Sequence, residues 1–173
     1  MEEKYTLKTI LETFTKVKNG TAKKRLIFDQ TPIDGIGVKW VIAFFISLPI
    51  LLYIGIFNPK IFGMLGIAQA IIFYIVFLSM AMIMIFGLTF INNNKVIRQI
   101  TPSWNTFFPT VDFTQVLSSG VTPYKDFFLH YSKAIKNGLE GEALHVYLEK
   151  AFEQMKSENS ELYEAMNSSR NRR

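Results

Sequence analysis

The chain has 173 residues, no cysteine and a formal net charge of +5. This length suits one or two small domains, and the missing cysteine excludes disulfides and Cys-ligated metal or redox sites. Because the basic balance accompanies long apolar runs, it favours contact with anionic lipid on the cytoplasmic side of a membrane over contact with nucleic acid.

The first predicted element is an amphipathic helix over residues 4–19, which Gly20 would end. Such a helix can lie in the membrane interface, or it can pack on the protein's own cytoplasmic domain or on a neighbour, and the sequence leaves both open. Residues 21–37 are predicted to be a linker, so residues 1–37 form a cytoplasmic head. The basic residues expected at the membrane surface are Lys16, Lys18, Lys23, Lys24 and Arg25.

A transmembrane helical hairpin is predicted for residues 38–91. A spanning helix needs ~20 apolar residues, and residues 40–57 and 61–91 approach or exceed this length. Residues 58–60 (Asn-Pro-Lys) supply the turn, and Pro49 is expected to kink the first span. Close helix packing is expected at the small residues Gly63, Gly66, Ala70, Ser79 and Gly87.

The charges predict the orientation of this hairpin. Lysines and arginines precede it and follow it, whereas Lys60 alone lies in the turn. The positive-inside rule therefore predicts that both termini are cytoplasmic. No Asp, Glu, His, Lys or Arg lies inside either span, which argues against a proton relay or an ion-coupled transporter.

Residues 92–173 are predicted to form a cytoplasmic helical domain with a basic tail. Asn92–Asn94 would mark the exit from the membrane, and Thr101-Pro102 would start a new helix. Further helices are predicted over residues 110–119, 122–137, 140–157 and 160–166. The turn residues between them are Gly120, Pro123 and Asn137. The predicted core residues are Phe113, Leu117, Phe127, Leu144, Leu148 and Phe152.

The sequence offers little catalytic chemistry. His130 and His145 have no carboxylate or second histidine at a metal-ligand spacing, and His145 with Glu149 is more typical of a surface i,i+4 contact. No glycine-rich phosphate loop follows a predicted strand. We therefore expect no enzymatic activity, no cofactor and no metal.

One segment resembles a known family. Phe113 leads a helix that ends in Ser-Ser-Gly120-Val, Pro123 opens the next helix, and Asn137 follows. An Ala143-Leu144 step and a Ser160–Met166 element come after it. Residues 113–166 thereby resemble the repeated cytoplasmic domain of the type II secretion F protein / PilC family of inner-membrane platform proteins. The resemblance implies a scaffold that contacts a cytoplasmic assembly ATPase.

The expected protein is an all-α integral membrane protein of the bacterial cytoplasmic (inner) membrane. Its expected role is that of a non-catalytic scaffold subunit in a secretion, conjugation or pilus assembly. The lipid bilayer, other subunits of the complex and further copies of the chain are the expected partners, without nucleic acid. The alternative is an oligomeric pore or membrane-disrupting effector in phage defence or lysis.

Overall fold

The computed structural model describes residues 5–30, 33 and 36–170, with the side chains of residues 169 and 170 excepted. The described chain is mostly helical. It divides into two compact units: one comprises the residues up to Arg25 together with those from Arg98 onward, and the other is Leu26–Ile97. The helix α4 (Ile67–Phe107) contributes residues to both. The predicted head, residues 1–37, is therefore shared between the units.

The first unit begins with a short helix and a β-hairpin. α1 spans Leu7–Phe14, and its Thr6 cap accepts a hydrogen bond from the Thr9 N–H at 3.2 Å. β1 (Thr15–Lys18) and β2 (Thr21–Lys24) then pair antiparallel. The predicted helix over residues 4–19 was therefore too long, and the all-α prediction omitted this hairpin.

The loop between the strands explains that correction. Asn19 and Gly20 both have positive φ, at 52° and 69°. Two such residues form the tight turn that matches the twist of a β-hairpin, and Asn-Gly is the pair that favours it most. Thr15 and Val17 are β-branched, which also favours strand over helix.

Aromatic rings fill the core of the first unit. The ring of Phe14 lies 5.0 Å from that of Phe113, and the Trp104 ring lies 4.9 Å from Phe113. Phe127 stacks on Phe152 at 5.5 Å. The Trp104 indole N–H donates to the Val111 carbonyl at 2.9 Å, which satisfies its one buried polar group. The apolar stripe of α1 thus packs on the protein's own domain, one of the two predicted alternatives.

Four further helices complete this unit. They are α5 (Phe113–Leu117), α6 (Phe127–Lys136), α7 (Gly141–Glu158) and α8 (Ser160–Arg170). α5 and α6 are shorter than predicted, because the chain turns at residues 118–126 instead of entering a helix at Thr122. The end of α6 is a Schellman motif: Gly138 has φ +67°, and the Leu139 N–H donates to the Ala134 carbonyl at 3.0 Å.

α4 runs without a break through two predicted boundaries. Asn92–Asn94, expected at the membrane exit, and Thr101-Pro102, expected to start a new helix, both lie inside this helix, so no helix starts at Pro102. Ile100 and Trp104, four residues apart, are fully buried, and Phe108 directly after the helix continues the same spacing. Burial of this stripe offsets the backbone hydrogen bond that Pro102 removes.

The second unit contains α2 (Val38–Ile56), α3 (Pro59–Leu65) and the first part of α4. Asn58 caps α3, with its side-chain oxygen accepting the Lys60 N–H at 3.1 Å. Gly66, at φ +74°, separates α3 from α4, so the predicted span over residues 61–91 is divided there. Tyr74 of α4 lies against Tyr53 and Phe57, with ring distances of 6.0 and 6.2 Å.

Candidate membrane surface and domain groove

Large apolar side chains cover the outside of the second unit. Only 11 % of the apolar window of α2 and 6 % of that of α4 is buried. Trp40 is 77 % exposed and Met64 87 %. A core helix of a water-soluble protein would be mostly buried, so these two helices, each long and apolar enough to cross a membrane, lack the packing that would hide them from water.

Three serine and threonine hydroxyls in the apolar parts of these helices bond to the backbone of their own helix. Ser47 donates to the Phe44 carbonyl at 2.7 Å, Ser79 to the Ile75 carbonyl at 2.9 Å and Thr89 to the Ile85 carbonyl at 2.7 Å. Such bonds satisfy a hydroxyl where no water is present. The sequence shows these serine and threonine residues, but it does not show whether their hydroxyls bond to their own helix or to another one.

The predicted packing residues have different environments. Ala70 is fully buried, whereas Gly63, Ser79 and Gly87 are exposed. No atom lies within 4 Å of a Cβ placed on Gly63 or Gly87. Gly66 instead allows the backbone to turn, since its positive φ forms the break between α3 and α4. Within the chain, only Ala70 of this set is buried.

The predicted basic surface maps onto the β-hairpin. Lys16, Lys18 and Lys23 are exposed, and Lys16 and Lys23 are direct cross-strand partners. The three lysines therefore concentrate positive charge on one face of the hairpin.

The other two basic residues tie the hairpin to the domain. Lys24 donates from its ammonium group to the Leu117 carbonyl. The Arg25 Nε donates to the carbonyls of Glu12 and Thr15 at 3.0 and 2.9 Å. Both side chains therefore hold the hairpin against neighbouring backbone.

The first unit also carries a groove of about 590 Å³ between α1, β1, the end of α4 and the α6–α7 loop. Its floor is apolar, with Leu7, Val17 and Leu139 among the lining residues. Its rim carries the carboxylates of Glu12, Glu140 and Glu142, together with Lys8 and His145. Lys8 lies 4.0 Å from Glu140. With three carboxylates and one lysine among its lining residues, the groove is acidic on a basic protein.

His145 supports one wall of this groove. Its Nε2 lies 3.0 Å from the Phe107 carbonyl, at the end of α4, and its Nδ1 lies 3.8 Å from Glu142. The predicted contact with Glu149 is replaced by these two. A histidine that bonds to the last carbonyl of a helix has a structural role as a helix cap.

Tyr131 lies at the floor of the groove. Burial raises the pKa of its hydroxyl above the usual value, and nearby Glu12 raises it further, while a hydrogen bond with Thr15 lowers it. The phenol therefore stays neutral at physiological pH and acts as a packed, hydrogen-bonded wall.

Within the residues that the structure describes, no group of three or more His, Cys, Asp or Glu is placed to hold a metal ion.

The predicted core residues Phe113, Leu117, Phe127, Leu144, Leu148 and Phe152 are all buried. Of the predicted turn residues, Asn137 directly follows α6, and Pro123 is buried in the turn before α6. Gly120 lies three residues beyond α5 and does not have a left-handed φ.

Comparisons with protein-family models, with curated proteins and with solved structures return no match for this chain. The resemblance of residues 113–166 to the platform-protein family therefore remains a prediction from the sequence.

Proposed function

We propose that the protein is an integral membrane protein whose α2 and residues 67–91 of α4 cross the bilayer. The observation that carries this proposal is the exposed apolar surface of both helices, whose hydroxyl groups bond to their own backbone. At 1.5 Å per residue, the 19 residues of α2 reach about 28 Å, close to the ~30 Å of a bilayer core. Residues 67–91 reach about 37 Å and fit with a tilt.

The charges support cytoplasmic termini. Lys39 stands at the start of α2, and Lys95 and Arg98 follow the apolar part of α4. Lys60, in the first turn of α3, is the single charge on the connecting segment. The basic face of the β-hairpin (Lys16, Lys18, Lys23) would then face the anionic inner leaflet of a bacterial cytoplasmic membrane.

We propose a structural role for the first unit within a larger membrane assembly, such as a secretion, conjugation or pilus machine. Its core is packed and aromatic, and its groove combines an apolar floor with an acidic rim. Such a groove suits a segment of a partner subunit that carries an apolar side chain beside Lys or Arg. The expected partner classes include a cytoplasmic ATPase and further copies of the chain.

The alternative, an oligomeric pore, receives less support. The hydroxyls of Ser47, Ser79 and Thr89 bond to their own helices, so the described spans present no polar stripe to line a water channel. Dye leakage from vesicles that contain the purified protein separates the two functions. A scaffold leaves the vesicles tight, and sustained leakage would favour the pore.

Cysteine labelling tests the membrane topology, and the chain has no native cysteine to interfere. With Asn58→Cys, an impermeant thiol reagent should label intact cells from outside. With Ser168→Cys, labelling should require permeabilised cells. The reverse pattern would overturn the orientation, and recovery of the folded protein from the soluble fraction without detergent would overturn membrane insertion.

Partner binding is tested by copurification from native membranes. Glu142→Lys reverses a charge on the groove rim and should deplete the partner that copurifies with the wild-type protein. Glu164→Lys, on exposed α8, is the matched control and should retain it. Equal recovery with both variants would place partner binding outside the groove.

A further inference from the structure

Residues 26–30, here called the interfacial segment, expose three consecutive large apolar side chains outside the two spans. Leu26 is 72 % exposed, Ile27 39 % and Phe28 36 %. Ile36, further along, is 71 % exposed. A linker in water would place polar residues at these positions, so their exposure requires an apolar or amphipathic partner.

Three contacts hold the interfacial segment in place within the second unit. The Phe28 ring meets the Phe86 ring edge-on at 6.1 Å. The Asp29 carboxylate pairs with the Lys39 ammonium at 2.6 Å. The Val38 N–H points to the Gln30 carbonyl at 3.4 Å. The 3-10 turn at Ile27–Asp29 is therefore anchored both to the start of α2 and to α4.

The Phe86 contact sets the depth of this segment. Phe86 precedes Asn92, the first of three asparagines that end the apolar part of α4, by six residues. At 1.5 Å per residue, Phe86 lies about 9 Å along the helix from the polar boundary. Apolar faces of interfacial segments are buried ~5–10 Å at the boundary between headgroups and acyl chains. Phe28 therefore lies at the level of the outer acyl chains.

The charged and aromatic residues in and near the segment suit a position at the membrane–water interface. Asp29 is only 17 % exposed, and its pairing with Lys39 compensates the one acidic group that would otherwise enter the interface. Trp40, at the first turn of α2, has the amphipathic ring that is enriched at membrane–water interfaces.

We propose that the interfacial segment is a third membrane contact, a shallow anchor whose Leu26, Ile27 and Phe28 side chains enter the phospholipid interface of the cytoplasmic leaflet. This inference rests on the proposed membrane insertion of α2 and α4. A lipid surface is favoured over a protein partner because Phe28 lies against Phe86, itself an exposed residue of the apolar part of α4, and because this contact gives the segment one fixed depth.

Depth-dependent fluorescence quenching tests this inference. The full-length protein carries Leu26→Cys, labelled with an NBD fluorophore, and is reconstituted into vesicles of phosphatidylcholine and phosphatidylglycerol. Phospholipids with a doxyl quencher placed either shallow or deep in the acyl chain are then added. We expect a larger loss of NBD fluorescence with the shallow quencher. Ile36→Cys serves as a second labelling position and should behave in the same way.

Two control positions distinguish the inference from the proposed function. Ile75→Cys, exposed within α4, should be quenched most by the deep lipid, and Ser119→Cys, exposed on the domain, by neither. If Ile75 is quenched and Leu26 is not, the interfacial segment contacts water or protein and the inference fails alone. If iodide, a quencher dissolved in the water, also fails to quench the NBD label at position 26, a protein covers this position. If neither position is quenched, membrane insertion itself is wrong.

Discussion

The two tryptophans show how differently the two units treat the same side chain. Trp104 is fully buried, and its indole N–H is hydrogen-bonded, whereas Trp40 is 77 % exposed with its ring on the outside of α2. Both stand in helices rich in Phe, Ile and Leu. In the first unit the apolar side chains bury one another, and in the second they point outward. Side chains of the same chemistry are therefore packed inside the first unit and exposed on the second, and lipid around the second unit, as proposed above, would give them an apolar solvent.

An acidic substitution should have its largest effect on stability in the core of the first unit. Leu148 is fully buried on α7, so Leu148→Asp places an unpaired carboxylate in an apolar core. We expect a loss of ~3–5 kcal/mol and an unfolded domain. Circular dichroism of the detergent-solubilised protein measures it. The exposed neighbour Glu149→Ala is the control, and native-like unfolding of Leu148→Asp would show that Leu148 is not core.

The same acidic substitution in the second unit separates lipid from water. Met80 is exposed near the middle of the apolar part of α4. In water, Met80→Asp would change stability by ~0.5 kcal/mol or less. At the centre of a bilayer, an aspartate costs ~2.5–3.5 kcal/mol. We therefore expect a smaller carbonate-resistant membrane fraction for Met80→Asp, with Met80→Leu unchanged. Equal fractions for the two variants would contradict insertion of α4.

Much of this contrast was available from the sequence because it depends on composition. A run of more than fifty residues with one formal charge predicts long apolar helices, and the structure contains two helices long and apolar enough to cross a membrane. The stripe of Leu144, Leu148 and Phe152 likewise predicts a buried face of α7, and these residues are buried. A hydrophobic pattern that extends over a whole helix predicts which side chains are apolar or buried, whatever the details of their packing.

The errors arose where two local signals competed. The stripe from Tyr5 to Val17 fits a helix, but Asn19-Gly20 is a stronger signal for a hairpin, and the structure follows it. Pro102 signals a helix start, but burial of Ile100 and Trp104 keeps α4 continuous. The acidic groove joins residues that are more than 130 positions apart, from Thr6 to His145, so no local pattern announces it.

Replacing one glycine in each unit by alanine should change the free energy of unfolding by smaller amounts. Gly138 has φ +67°, and a Cβ there would meet no atom within 4 Å, so Gly138→Ala changes backbone strain alone. We expect a loss of ~1–2 kcal/mol, the cost of a left-handed L-residue. Gly87→Ala, inside α4 with open space at its Cβ, should leave folding unchanged or slightly stabilise it, since alanine favours a helix more than glycine does. Thermal unfolding measures both, and a destabilised Gly87→Ala would indicate that another helix packs on Gly87.

The smallest expected effect is a pH dependence confined to the packed unit. Burial raises the pKa of Tyr124 well above its ordinary value, and nearby Tyr163, Glu153 and Asp112 raise it further. Since the unfolded chain loses this proton near pH ~10 and the folded chain retains it, the unfolded state binds fewer protons above that pH. The contribution of Tyr124 is therefore complete below pH ~10 and declines as the pH rises beyond it.

Chemical denaturation at increasing alkaline pH tests this expectation. Tyr124→Phe removes the titrating hydroxyl, and the stability of this variant should decline less steeply above pH ~10 than that of the wild type. Tyr131, whose pKa burial also raises, contributes the same sign and remains in both proteins. Parallel declines in the two proteins would show that the Tyr124 phenol is accessible to water, in contrast to its buried position against Phe152.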